Sequence, residues 1–328
     1  MKAVVVSEPG GPEVLTIVER PVPALGADDV LVRVHATSIN RADVNQRTGL
    51  TTRPADDDGV LGLEVAGVIE QVGANVDPGR RGERVFGLTA GGGYAQFAVL
   101  PAAHALRVPE SMTFVQAATV AEVFVTAMDN LVNRGRLTAG ESVLVHGGSG
   151  GVGSAAIQIA VERGATVLTT VGSDEKVPFC RELGAAHVIN YRTERFEDRV
   201  HELTEGRGVD LILDVMGGDH LNRNLGSLAL DGRLVIVGLL GGRDGTIGLG
   251  SLLLPRRLTV TGSTLRPRTV AAKAQLLEQL RQELLPGFTH GTFRTTINAV
   301  FPLSEVIAAH TYFDRGEHVG KVVLEVVD

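Results

Sequence analysis

The sequence predicts an α/β protein in two parts. A β-rich front, completed by the tail of the chain, flanks a doubly wound parallel sheet. Three observations predict it. Short apolar runs punctuated by Gly and Pro fill residues 1–110. Over residues 121–264 strand-like runs alternate with helical ones, the pattern of parallel strands joined by crossover helices. The length, 328 residues, is comfortable for two domains, and 44% hydrophobic residues can fill two cores.

In chain order, VLVRVHA (30–36) alternates apolar and polar residues as a half-buried strand does. GLEVAGVIEQVG (62–73) is a candidate strand pair, and GERVFGL (82–88) and YAQFAVL (94–100) follow, together suggesting a small barrel-like unit. Then come the strand ESVLVHG, a glycine turn, the helix GSAAIQIAVERG and the strand TVLTTV (166–171). KVPFCRELG predicts a short helix, HVINY (187–191) a strand, and RTERFEDRVHELTEG an amphipathic helix. VDLILDVMG (209–217) is almost wholly apolar, as in a strand buried on both faces. DHLNRNLGSLALDG reads as a helix, and RLVIVGLL (233–240) and RRLTVTGS (256–263) as the last strands of that sheet. In the tail, residues 270–287 form a helix stopped by Pro-Gly, INAVFPL a strand, SEVIAAHTYFDRG a capped helix and GKVVLEVV a final strand. The expected domains are 1–120 completed by 265–328, and 121–264.

Composition excludes several functions. A net charge of −7 argues against nucleic acid as the main partner. One cysteine, Cys180, rules out an intrachain disulfide and a cysteine-rich zinc knuckle, and suits a reducing compartment. The N-terminus lacks a signal-peptide core and no apolar run reaches membrane-spanning length, so the expectation is a soluble cytoplasmic protein. The histidines, His35, His104 and His146 among them, show no ligand spacing.

The chemistry-bearing stretch is LVHGGSGGVGSAA (144–156). Gly148-Ser149-Gly150-Gly151-Val152-Gly153 fits G-x-G-x-x-G between a strand and a helix, where the dinucleotide pattern requires it. The first glycine permits a tight turn, the second lets backbone N–H groups approach a pyrophosphate, and the third lets helix and strand pack closely. The helix N-terminus adds unpaired N–H groups for the anion. A purely structural turn is the plainer alternative. The strand TVLTTV ends in Gly172-Ser173, where an NAD site would carry an acid for the ribose 2′-OH. Asp174 and Glu175 come late; Ser173 can hydrogen-bond a 2′-phosphate, Lys176 can neutralise it, and Tyr191 can stack or bond nearby. This favours NADPH, with a solvated helix lysine as the alternative for Lys176.

Taken together, SINRADVNQRTG (38–49), LGLEVAGVIEQVG (61–73), HGGSGGVGSAAIQIA (146–160), LALDGRLVIVGLLGG (228–242), VTGSTLRPR (260–268) and HVGKVVLEV (318–326) resemble the medium-chain dehydrogenases/reductases along the whole chain. More narrowly, they are similar to the zinc-free quinone oxidoreductases. The similarity is greatest to the branch containing the tumour-suppressor-inducible quinone oxidoreductase, with zeta-crystallin more distant. The resemblance implies a GroES-like front domain, a Rossmann NADP-binding domain and a homodimer formed through the Rossmann sheet edge at RRLTVTGS. It also implies hydride transfer from NADPH to a quinone, alternatively to an activated C=C of an enone, enal or enoyl thioester. A crystallin-like NADPH-binding protein with little turnover is a further alternative.

The resemblance places Asn40 and Thr126 at the nicotinamide and substrate, Asn40 as a donor to the substrate oxygen. Their alternatives are a loop-shaping residue and a helix cap. It adds Leu239, Ser263, Leu265 and Lys321 to the cofactor residues; Lys321 and Arg266 are expected at the cofactor phosphates, with surface roles as the alternative. Zinc-dependent relatives carry a Cys where Asn40 stands, a His at Leu63 and a third ligand near Glu122, so no metal is expected. Asp43 and Glu64 are expected to be structural, pairing with Arg41 or backbone amides. The stretch LTTRPADDDG (50–59) departs from the family's Tyr-Pro loop and loses an aromatic that would stack on a quinone ring.

Overall fold

A computed structural model describes residues 1–51 and 59–326. Most of the departing loop, with Thr52, lies outside them. The described strands are β1 (Lys2–Val6), β2 (Leu15–Glu19), β3 (Asp29–Ser38), β4 (Glu64–Val72), β5 (Arg84–Leu88), β6 (Phe97–Pro101) and β7 (Ala105–Arg107). There follow β8 (Ser142–Val145), β9 (Thr166–Val171), β10 (His187–Asn190), β11 (Val209–Asp214), β12 (Leu228–Ile236) and β13 (Thr259–Gly262), then β14 (Ile297–Pro302) and β15 (Lys321–Glu325). The chain divides into two compact units, Met1–Val125 with Arg266–Asp328, and Thr126–Leu265. The first division falls inside the helix Ala121–Met128 rather than before it.

In the first unit a seven-stranded sheet runs β14-β15-β3-β4-β5-β7, with β6 also paired to β3. All its pairs are antiparallel except β14–β15, which is parallel. The strand pair expected over residues 62–73 is one long strand, β4, because its whole apolar length is taken up by β3 on one side and β5 on the other. The half-buried strand expected at 30–36 is more deeply covered than its alternation suggests. β3 is the hub of the sheet, and along it only Arg33 is exposed. Val30, Val32, Val34, Val65, Ile69, Val85 and Leu100 form one aliphatic core there.

The second unit is a six-stranded, wholly parallel sheet in the order β10-β9-β8-β11-β12-β13. Numbered within the unit, that is 3-2-1-4-5-6, the order of the doubly wound dinucleotide-binding sheet, with its crevice where the order reverses beyond β8. β11 is buried as its apolar run predicts, and Leu144, Leu168, Ile189, Ile212 and Leu234 pack its core with Phe196. The helix expected through residue 232 ends at Ser227. Leu228 instead joins the sheet opposite Val209 at the start of an irregular register, because its buried side chain serves the core better in a strand. The tail helix runs Val270–Glu283, and a second begins at Leu285, with Pro286 in its first turn rather than after a stop. Among the described residues no helix is long and apolar enough to cross a membrane.

Candidate active site

The glycine turn connects β8 to the helix Gly151–Glu162. Gly147 adopts φ +70°, reversing the chain. A side chain at Gly148 would collide with Thr169 Oγ1 at 2.0 Å, and one at Gly153 with the Gly147 carbonyl oxygen at 2.2 Å. The first and third glycines of the motif are therefore required by the fold. Gly150 is different: a Cβ there would meet nothing nearer than the Gly147 oxygen at 3.4 Å. Nothing among the described residues demands a glycine at that position, which fits a requirement imposed by a ligand pressed against the backbone. Gly150 caps the helix without a side-chain hydrogen bond, and the first helical turn leaves the amides of Gly151, Val152 and Gly153 without intrahelical acceptors. Those groups, with the helix dipole, suit an anion.

The back of the turn is braced. The Gly147 amide donates to Thr170 Oγ1 (3.1 Å), which contacts His146 Nδ1 (3.1 Å), and His146 Nε2 meets Asn224 Oδ1 (2.7 Å). Burial holds the His146 imidazole below its usual pKa, opposed by Asp214. A neutral ring accepts from Thr170 and donates to Asn224, so this histidine fixes the turn.

Every cofactor residue expected in this unit falls on one rim. Ser149 and the motif glycines follow β8; Ser173 and Lys176 follow β9; Tyr191 follows β10; Leu239 follows β12; Ser263 and Leu265 follow β13. All six strands are parallel, so these are the same edge of the sheet. The Tyr191 hydroxyl lies over Gly172, 2.6 Å from where a Cβ would stand, and so beside Ser173. Asp174, the acid best placed to bind a ribose, instead accepts from Asn190 Nδ2 at 2.8 Å. Glu175 accepts from the Ser173 hydroxyl, which lowers its carboxyl pKa.

Thr126 lies inside the helix Ala121–Met128, not at its cap, just before a π-helical stretch, Asp129–Arg134. Such widened turns recur at functional sites. Its carbonyl accepts from Asn130 Nδ2 (2.7 Å), but its buried hydroxyl has no partner among the described residues.

Asn40 belongs to the first unit, where a cluster the sequence did not reveal surrounds it. It precedes the helix Arg41–Arg47, and Asp43 fastens this junction. The Asp43 carboxylate accepts from the amides of Asn40 (2.8 Å) and Gly62 (3.2 Å) and from the Tyr94 hydroxyl (3.3 Å). Arg41 lies over the Phe313 ring instead. Fully buried Glu64 is the hub. Its Oε1 accepts from Ser38 Oγ (2.6 Å), Asn40 Nδ2 (2.9 Å) and Lys321 Nζ (3.1 Å), and its Oε2 accepts from the Glu122 amide (2.9 Å). Asn40 Nδ2 also reaches the Ser38 carbonyl, at 3.4 Å. Lys321 Nζ donates further to Ile39 O (3.0 Å) and Asn40 Oδ1 (2.5 Å). The Lys321 ammonium, expected at a cofactor phosphate, is thus buried against Asn40 and Glu64. The Asn40 amide, expected to face a substrate, is at rest shared among Glu64, Ser38 and Lys321.

Desolvation pushes the Asp43 carboxyl up to about 6 and that of half-buried Glu122 up to about 7. In both, Lys321 opposes the rise and Glu64 adds to it. The residues do not fit a catalytic zinc. Asn40 and Leu63 offer neither thiolate nor imidazole, and the oxygens of Asn40 and Glu64 already hold an ammonium.

Residues 26–110 match the alcohol dehydrogenase GroES-like domain and residues 151–280 the zinc-binding dehydrogenase family. The human quinone oxidoreductase is 34% identical over 327 residues, 99% of this chain and 97% of that protein. The structure of Escherichia coli quinone oxidoreductase complexed with NADPH superposes with a TM-score of 0.90 at 29% identity, covering 99% of this chain and 100% of that one. The CurK enoyl reductase gives 0.86 at 29% identity, covering 99% of each chain. The chain belongs to the medium-chain dehydrogenase/reductase family, within its quinone oxidoreductases.

Proposed function

We propose that this protein reduces a quinone with NADPH, without a metal. The observation that carries the reading is the turn at residues 147–153, whose central glycine answers to no neighbour among the described residues and whose first-turn amides lack intrahelical acceptors. The similarity to quinone oxidoreductases over nearly the full chain supports the reaction. NADPH, when bound, supplies hydride; with one proton from water the quinone becomes a hydroquinone. The chain's own residues bind and orient. The amides of Gly151, Val152 and Gly153 hold the pyrophosphate. Ser173, Lys176 and Tyr191 receive the 2′-phosphate, with Asp174 diverted to Asn190. The Asn40 amide serves the substrate oxygen, where charge develops. The Thr126 hydroxyl, without a partner among the described residues, serves the nicotinamide or substrate.

A second reading, reduction of an activated C=C, is favoured by the likeness to an enoyl reductase. Both need the same hydride donor. We further infer a homodimer, since β13 ends its sheet with a free pairing edge, and a cytoplasmic location, consistent with a single buried cysteine. The test is oxidation of NADPH and NADH against 1,4-benzoquinone, 1,2-naphthoquinone, 9,10-phenanthrenequinone, enones and enoyl thioesters. NADPH-dependent turnover of quinones supports the first reading. Turnover of enones or thioesters alone transfers the assignment to the second, and NADPH binding without turnover of any acceptor points to a crystallin-like role.

A further inference from the structure

Lys321 is 3% exposed, and a protonated lysine has three hydrogens to give. All three are placed, on Ile39 O, Asn40 Oδ1 and Glu64 Oε1. None remains for a phosphate. The shortest contact is the one to Asn40, at 2.5 Å, across 281 residues of sequence. It fixes which way the amide faces, because a carbonyl oxygen, and not an NH₂ group, must meet an ammonium. The two amide hydrogens are then directed elsewhere. One is held by Glu64 at 2.9 Å; the other, among the described residues, reaches the Ser38 carbonyl at 3.4 Å and is the loosest contact of the group.

We propose that Lys321 is the positioning residue of the substrate site: it locks the Asn40 amide through Oδ1 so that the hydrogen resting on the Ser38 carbonyl is the one delivered to a substrate oxygen. The inference rests on the reductase reading above. An ammonium on Oδ1 also polarises the amide, making its N–H a stronger donor in a chain of linked hydrogen bonds. The donor gains most value as negative charge builds on the substrate oxygen. Glu64 keeps the buried cation neutralised and holds the remaining hydrogen. Lys321 never touches substrate; it acts through Asn40.

The test compares Lys321→Met, Lys321→Arg and the charge-balanced pair Lys321→Met with Glu64→Gln, which serves if the single methionine variant does not fold. NADPH affinity is read by fluorescence titration, and kcat and KM across quinones and enones of decreasing electrophilicity. The expected result is an NADPH Kd within about twofold of the parent, little change in KM, and kcat lower by roughly 10–100-fold, in line with loss of one oriented donor. The loss grows as the acceptor weakens, and Lys321→Arg recovers part of it. A tenfold rise in Kd with kcat unchanged would overturn the proposal and return Lys321 to the cofactor. So would a loss equal for every acceptor that arginine does not rescue. If the parent reduces no acceptor, the functional reading fails, and the side-chain amide resonances of Asn40 in the free protein decide the contact. They should shift between the parent and Lys321→Arg, and unchanged resonances count against it.

Discussion

The rim that carries the glycine turn and the Asn40 cluster are made of different materials. The rim is backbone and small residues, with its reasons close at hand: Gly153 is required by Gly147, and Gly148 by Thr169 on the neighbouring strand. The cluster is side chains brought from β3, β4, two helices and the last strand, with three carboxyls around one ammonium. A backbone site fails when something is added. A buried charged site fails when something is removed. Substitutions on each side test that division.

The largest effect belongs to the cluster. Lys321→Met strands the Glu64 carboxylate in the interior, and losing one partner of a buried pair costs about 3–5 kcal/mol. Adding Glu64→Gln should restore most of it, because neither charge is then left alone. Urea unfolding of the parent, the single variant and the pair measures both steps. Equal stability of the single and paired variants would show that Lys321 does not balance Glu64.

Next is the pH dependence that the cluster imposes. Folding raises the Glu122 carboxyl from 4.5 to about 7. Between those values this carboxyl is protonated in the folded protein and ionised in the unfolded one, so its contribution to stability falls as pH rises through the window, by up to about 3 kcal/mol. Asp43, raised from 3.8 to about 6, acts with the same sign over a lower range. Glu122→Gln should remove the upper part of the decline and leave the lower part. Unfolding free energies of the parent and Glu122→Gln from pH 4 to 8 provide the check, and a difference between the two that does not decline over that range contradicts the burial argument.

The same division explains what the sequence makes visible. The parallel sheet and its turn are legible because strand, glycines and helix follow one another within residues 142–162, and each glycine's reason lies in the turn or on the next strand. Asn40 and Lys321 each stand out in a motif, but no local pattern says that they meet. A lysine in HVGKVVLEV has no visible partner in sequence, so a phosphate is the natural expectation, whereas the fold supplies Glu64 and Asn40. Leu228 shows the same limit at the level of secondary structure. Its helical surroundings are local, while the strand pairing with Val209 that captures it is not.

On the rim, Gly150→Ala separates fold from ligand. The added methyl meets nothing among the described residues nearer than 3.4 Å, so the melting temperature of the free protein should stay close to the parent's. NADPH affinity should fall roughly 10–100-fold, because the methyl stands where the pyrophosphate approaches the backbone. Calorimetric titration alongside a melting curve reads the two separately. Unchanged affinity would mean that this turn does not cradle the cofactor as proposed. Gly148→Val, by contrast, should lose stability and affinity together, since its side chain collides with Thr169.

The smallest effect is the most specific. Ser173 now donates to exposed Glu175, so a 2′-phosphate must win that hydroxyl from a carboxylate of like charge. On the proposed reading Ser173→Ala removes one neutral donor beside Lys176 and Tyr191, and the preference for NADPH over NADH should drop by about fivefold, the worth of a single hydrogen bond near 1 kcal/mol. Glu175→Gln should move the preference the other way, because it leaves Ser173 its hydroxyl and takes away the competing charge. The ratio of kcat/KM for the two cofactors is the readout. Opposite signs for the two substitutions assign the 2′-phosphate to this corner of the rim. A common sign, or no change in either, places NADPH selectivity on other residues and leaves Ser173 as part of the turn into the next helix.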